Sequence, residues 1–281
     1  MSASATPITL TGLYIYPVKS LGGISVPEAE ITSRGLKYDR RWLLVDARNR
    51  FLTQREHPQL ALLAVEPAYN GFLLRHRQRP ELLPLYIPFE ATSDKTSFVT
   101  IWDDMVFARR GAPEADQWLS EALGLECRLV HMSDMARREV EPDKPELNPA
   151  GTLVSFADGY PYLLASEEAL AHLNAQLAEP VPMNRFRPNL VVAGLPTPDA
   201  DDAWRNFQIA GQPFRAVRGC GRCVMTTIDQ ATSQKSPLGE PLRTLATYRK
   251  QGSKIMFGQN VTGPATGRLR VGDVVELISG R

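Results

Sequence analysis

A chain of 281 residues, 43% hydrophobic and 22% charged, has the composition of a soluble globular protein with room for one large or two small domains. A formal net charge of +1 excludes bulk attraction to nucleic acid or an acidic membrane, so any anion site must be a local cluster of cations. No run of about 20 apolar residues marks a membrane span. Residues 1–7 lack the basic start and apolar core of a signal peptide, and an odd count of three cysteines argues against a disulfide framework. A reducing, cytoplasmic setting is expected.

In chain order, residues 8–18 alternate as a strand that ends near Pro17. Lys19-Ser20-Leu-Gly-Gly follows as a loop, offering one cation, one hydroxyl and accessible backbone amides to a phosphate. Ala29–Thr32 and Trp42–Asp46 read as strands. Between them, Asp39-Arg40-Arg41-Trp42 is a charged turn in which Asp39 pairs an arginine. Thr53-Gln54-Arg55 is a polar tract of the kind that faces a site in a minority of cases. Short strands are expected at Leu60–Val65, Gly71–Leu74, Leu85–Ile87, Phe98–Trp102 and Met105–Arg109, the spacing of a barrel or small sandwich. Ala115, Trp118, Leu119, Ala122 and Leu123 fall at helical spacing, and Gly124 ends that helix. Cys127 belongs to a returning strand and is read as core.

Residues 133–150 are charged, proline-containing and without periodicity, so they are read as a linker or lid, with Arg137 and Arg138 solvated. Leu163 and Leu164 lie in a strand. Ser166 is read as a helix N-cap, with Glu167 and Glu168 in the first turn. Arg185 and Arg187, at i and i+2 of a segment read as extended, project to one side, a pairing suited to an oxyanion. Strands continue through Trp204, Phe207, Ile209 and Phe214–Val217. A short helix carries Leu242 and Leu245, Gly258 permits close backbone approach, and residues 267–277 read as a strand–turn–strand.

The most informative stretch is Arg218-Gly-Cys-Gly-Arg-Cys-Val-Met-Thr-Thr-Ile-Asp229, which holds Cys220 and Cys223 beside two arginines. Val224–Ile228 reads as the start of a strand. Nearby cations favour the thiolate, the form that attacks or binds metal. Burial as a structural pair is the plain alternative. A zinc site lacks a second C-x-x-C, and His57, His76, His131 and His172 are scattered. A redox dithiol would open a helix, for which Val-Met-Thr-Thr-Ile is poorly suited. A single metal-ligating thiolate in a positive pocket fits the local chemistry better.

That stretch resembles the cysteine motif of the MOSC domain, the molybdenum cofactor sulfurase C-terminal domain, as found in the amidoxime-reducing component and YcbX-like bacterial proteins. Tyr16-Pro-Val-Lys-Ser20, Asp39-Arg-x-Trp42, Asp158-x-x-Pro-x-x-Leu-x-Ser166, Asn184-Arg-Phe-Arg-Pro-Asn189 and Val271-Gly-Asp273 resemble further family motifs, in the family's order. The resemblance implies a mainly β, α+β chain: an N-terminal β-barrel-like domain at 1–132, the linker or lid at 133–150 and a MOSC β-barrel domain at 151–281. It implies the molybdenum cofactor, Mo-molybdopterin, held by Lys19, Ser20, Arg40, Ser166, Asn184, Arg185, Arg187 and Asn189. Arg41 is the alternative to Arg40. Cys223 rather than Cys220 is the implied molybdenum ligand and catalytic residue, because it aligns with the family's position before the Thr-Thr run. Thr226, Thr227 and Asp229 are implied to orient it, although Asp229 also suits a turn cap. The implied reaction is two-electron reduction of N-hydroxylated substrates. Three cysteines cannot furnish a four-cysteine cluster, so a separate ferredoxin- or flavin-type electron donor is expected. Two further classes remain open: a sulfur carrier using a persulfide on Cys223, and a non-catalytic molybdopterin carrier.

Overall fold

Alternating β-branched and aromatic residues build most of the molecule as strands, and the fold is mainly β with short helices, as expected. The computed structural model describes residues 7–141 and 151–280. The signal-peptide reading of the first residues and the 142–150 part of the linker therefore fall outside the described residues, apart from Pro7.

A nine-stranded sheet dominates. Strand Thr9–Ile15 pairs antiparallel with Leu190–Ala193, in register Thr9 to Ala193 and Leu13 to Leu190. Leu190–Ala193 in turn lies parallel to Tyr162–Ser166. Strand Gly267–Arg270 reaches back to Glu28–Thr32. Each half of the chain thus lends a strand to the other, and the expected strand–turn–strand splits, because Val275–Gly280 joins Trp204–Ile209 instead. A second sheet joins Trp42–Val45, Arg128–Met132, Asp104–Arg110 and Thr96–Ile101, and a third joins Leu63–Ala68, Gly71–His76 and Leu85–Pro88. The core runs through both halves, with Tyr162, Trp204, Phe207 and Phe214 packed edge-on and stacked. Full burial of one such ring stabilises by roughly 1.5–3 kcal/mol.

The expected helix forms over Pro113–Leu123, ending at Gly124 with φ of 65°. Cys127 is buried as read, and burial pushes its thiol up to about 11. Four expectations are corrected. Pro58 opens a 3-10 helix at Pro58–Leu62, so the strand begins at Leu63. Residues Met183–Arg185 form a 3-10 turn rather than an extended segment. Pro188 stops it, and Arg187 takes a left-handed φ of 57°, so Arg185 and Arg187 diverge. Val224–Thr227 is likewise 3-10, because Thr226 and Thr227 hydroxyls donate to the carbonyls of Cys223 and Val224, three residues back. Arg138 is not solvated: it is buried and donates to Asp104 and to the carbonyls of Ser155, Ala157 and Asp158.

Gly258, in strand Lys254–Thr262, has φ of 75°, and a Cβ there would lie 2.4 Å from the Leu164 carbonyl oxygen. That close approach lets Leu164 pair with Gln259. Gly258→Ala combines left-handed strain with a backbone clash, and is expected to lower stability by about 2 kcal/mol or more in urea unfolding. An unchanged midpoint would contradict the assignment.

Candidate active site

The site is assembled on the end of strand Gln212–Arg222. Cys223 closes that strand and starts the 3-10 turn, which exposes its sulfur at a cleft instead of in a ladder. Arg55 arrives from the Thr53-Gln54-Arg55 tract. Its Nε donates to Cys223 Sγ at 3.3 Å and its Nη2 to Asp158 Oδ2 at 3.0 Å. Gln54 anchors the tract: buried, it donates to the Ser20 carbonyl at 2.6 Å and exchanges hydrogen bonds with Gln230.

Asp158 collects the cations. Its Oδ1 pairs with Lys19 Nζ, its Oδ2 with Arg55, and its backbone carbonyl with Arg138. Although half its side chain is exposed, desolvation in the cleft pushes its carboxyl upward, but Lys19 and Arg55 override that and hold it far below the usual carboxylate range. Lys19 is 6% exposed, and burial, opposed by Asp158, pushes it down to about 8. Ser20, at φ of 66°, follows Lys19 in the lining.

A second layer comes from Arg40 and Arg187, both lying on the buried ring of Tyr16, at 4.2 and 4.3 Å from its centroid. Arg40 Nη1 donates to Asp39 Oδ2 at 2.5 Å and Asn189 Oδ1 at 2.9 Å, and its Nη2 to the Arg187 carbonyl. Arg187 donates to the Leu21 carbonyl at 2.7 Å, and burial pushes it down to about 10. Arg222 donates to Cys220 Sγ at 3.0 Å and to the Phe186 carbonyl, while its buried Nε has no hydrogen-bond partner among the described residues. Among the described residues, the basin's lining thus sets Lys19, Arg40, Arg55, Arg187 and Arg222 against the carboxylate of Asp158, with Asp39 behind Arg40. It adjoins an outer cleft of about 890 Å³ that shares Arg55, Asp158, Cys220 and Arg222 and adds Cys223 and Trp102.

The other candidates lie elsewhere. Arg41 turns away, donating to the Met132 carbonyl and to Asp134 at 2.7 Å, so Arg40 is the arginine of its pair that lines the basin. Ser166 is fully buried and caps helix Glu167–Asn174 through Ala169, outside both linings. Asn184 is exposed and also outside them. Arg185 pairs with Asp229 at 2.9 Å and donates to the Thr226 carbonyl, bracing the cysteine turn from behind. The second oxygen of Asp229 caps the turn at Ala231 and Thr232. Thr226 and Thr227 are buried within that turn.

Sequence reasoning named Arg55, Asp158 and Arg222 without placing them among the site residues, and set Arg138 aside. For Arg222 the signal was its place inside the cysteine motif. For Arg55 it was a polar tract following a strand.

Residues 8–126 match the MOSC N-terminal beta barrel domain and residues 152–276 the MOSC domain. The chain is 33% identical to mitochondrial amidoxime-reducing component 1 of Mus musculus, over 96% of this chain and 82% of that one. It is 31% identical to the Homo sapiens protein of the same name, over 96% and 83%. It is 32% identical to the molybdenum cofactor sulfurase of Oryza sativa subsp. japonica, over 91% of this chain but 32% of that longer protein.

Asp158 has a folded-state value below its unfolded one, so its stabilisation is fully present above about pH 4 and is lost as pH falls below that, where the unfolded chain takes up the proton first. Asp158→Asn is expected to melt lower at neutral pH and to lose stability less steeply than wild type from about pH 4 downward. Parallel curves of Tm against pH would contradict this.

Proposed function

The chain belongs to the MOSC family, carrying both its N-terminal barrel and its MOSC domain, and from that premise we propose that it is a molybdenum-cofactor-dependent oxidoreductase that reduces N-hydroxylated compounds. The observation that carries the reading is the basin itself. Among the described residues of its lining, five cations meet the carboxylate of Asp158, with Asp39 paired to Arg40 behind them, and a thiol sits 3.3 Å from the guanidinium of Arg55. In a chain of net charge +1, so local an excess calls for an anionic ligand.

The residues fit a phosphate-bearing, sulfur-rich pterin cofactor. Among the described residues the buried Arg222 Nε has no acceptor, and an anionic group would supply one. Lys19, Arg40 and Arg187 are held by protein carbonyls, carboxylates and the Tyr16 ring in fixed positions, so they bind an anion without first being ordered. Each charge-assisted bond contributes about 1.5–3 kcal/mol. Ser20 and Asn189 add polar groups to the same wall. Cys223 would ligate molybdenum as a soft thiolate. When bound, the cofactor supplies two-electron redox chemistry, and the net change is N–O cleavage with two electrons and two protons, giving the N–H compound and water.

The chain's own residues position that chemistry. Arg55 donates to the sulfur of Cys223 and helps fix where it points. Asp158 holds Arg55 and Lys19 in place, and the Thr226–Asp229 turn, braced by Arg185, fixes the direction of Cys223. Electrons come from a separate ferredoxin- or flavin-type carrier. Cys127, Cys220 and Cys223 are free thiols, which suits a reducing compartment, and we assign the protein to the cytoplasm. Among the described residues no helix is long and apolar enough to cross a membrane. The mitochondrial setting is named for two of the relatives.

The likeness to a molybdenum cofactor sulfurase keeps one rival in view, a carrier of a persulfide on Cys223. Protein from a cofactor-producing host is expected to hold molybdenum near one per chain together with pterin. Cys223→Ala is expected to lower reduction of an amidoxime, with a supplied electron donor, by more than about 100-fold, since outer-shell changes at metal sites alone reach that size. A persulfide on Cys223 without molybdenum would replace the reductase with the sulfur carrier. Bound molybdenum and pterin with no turnover would favour a cofactor carrier.

A further inference from the structure

Trp102 occupies a position that turn chemistry disfavours for it. Ile101 pairs with Asp104, so Trp102 and Asp103 form the two-residue tip of the hairpin between Thr96–Ile101 and Asp104–Arg110. Trp102 has φ of 54°. Such tips give that left-handed conformation to Gly, Asn or Asp, and a bulky aromatic residue is strained there. Backbone outliers of this kind persist when the surroundings over-determine them, and they gather at functional sites.

The surroundings here do over-determine it. The indole lies 4.9 Å from the Phe51 ring, and the Arg55 guanidinium lies 4.7 Å from its centroid. On the same hairpin, Asp104 accepts from Arg138 at 2.6 Å. Both guanidiniums continue to Asp158, Arg55 to its carboxylate and Arg138 to its carbonyl, each at 3.0 Å. The hairpin is therefore tied twice to the corner that gathers the basin's cations. Despite these ties Trp102 remains 42% exposed and lines the outer cleft that contains Cys223. A half-open indole on a strained backbone is not explained by core packing.

We propose that Trp102 is the specificity-determining residue of this cleft, a preformed indole wall that favours substrates whose N-hydroxylated group is conjugated to a flat ring over substrates that carry it on a saturated one. The proposal rests on the reductase reading and names a preference within it. An indole offers a broad, polarisable surface to another π system, and a puckered ring of similar volume cannot lie flat on it. Phe51 and Arg55 already order the side chain, so binding incurs little further loss of rotamer freedom.

The test uses a pair of similar size, benzamidoxime and cyclohexanecarboxamidoxime, on the cofactor-loaded protein. Wild type is expected to show the higher kcat/KM on benzamidoxime. Trp102→Asn keeps a residue that tolerates the left-handed tip and is expected to lower the ratio of the two kcat/KM values about tenfold, the scale of one aromatic stacking contact. Trp102→Phe is expected to keep most of the ratio. An unchanged ratio in Trp102→Asn, or one that Trp102→Phe lowers as far, overturns the proposal. Calorimetry with the deoxygenated amidines, benzamidine and cyclohexanecarboxamidine, reads the same preference without turnover. If wild type reduces neither amidoxime, the reductase reading fails and calorimetry alone judges Trp102. Equal affinity of wild type for the two amidines would then overturn it.

Discussion

Two carboxylates, Asp158 and Asp39, make the cleft possible. Lys19, Arg40, Arg55, Arg187 and Arg222 line one basin, and like charges at this density repel unless something takes up the positive potential. Asp158 does so for the outer part, pairing with Lys19 and Arg55 while its carbonyl holds Arg138. Asp39 does so behind it for Arg40, from a fully buried position where its other oxygen accepts the Tyr16 amide. The Tyr16 ring, with two guanidiniums on it, supplies a third means of holding positive charge close to positive charge. The result is a set of cations ordered before any ligand arrives, with enough positive charge left over to attract one.

Strand exchange puts that cluster where it is. Lys19 and Arg40 come from the N-terminal half, Arg187 and Arg222 from the C-terminal half. They meet because Thr9–Ile15 is built into the large sheet beside Leu190–Ala193. The basin therefore lies on the seam where the two halves share strands. The Arg55–Cys223 contact crosses the same seam, between residues 168 apart in the chain. The cysteine turn is rigid for local reasons, since Thr226, Thr227 and Asp229 spend their side chains on the backbone around it. Their part in the proposed chemistry is to fix the direction of Cys223 rather than to touch a ligand.

Features governed by local rules were legible in the sequence. The helix stop at Gly124, the Ser166 cap, the core role of Cys127 and the close approach at Gly258 each follow from one residue and its neighbours. The cysteine stretch was legible as a site because two thiols and two arginines share a few residues. The misses have physical causes of two kinds. Threonine hydroxyls and flanking prolines made 3-10 turns of Val224–Thr227 and Met183–Arg185, where β-branched or alternating character suggested extended chain, and the second turn sent Asn184 and Arg185 away from the basin. Arg138 and Arg55 took roles set by distant partners, Asp104 and Cys223, which no local pattern encodes. An arginine in a charged, proline-rich stretch reads as solvated until the carbonyls it satisfies are known.

The account turns on Cys223, beside Arg55, being the thiolate that meets the metal, with Cys220 beside Arg222 as a bystander. X-ray absorption at the molybdenum edge of cofactor-loaded protein tests this most directly, comparing wild type with Cys223→Ser and Cys220→Ser. The account predicts that the sulfur shell around molybdenum loses one scatterer in Cys223→Ser and is unchanged in Cys220→Ser. An unchanged shell in Cys223→Ser, or a loss that follows Cys220 instead, would contradict it.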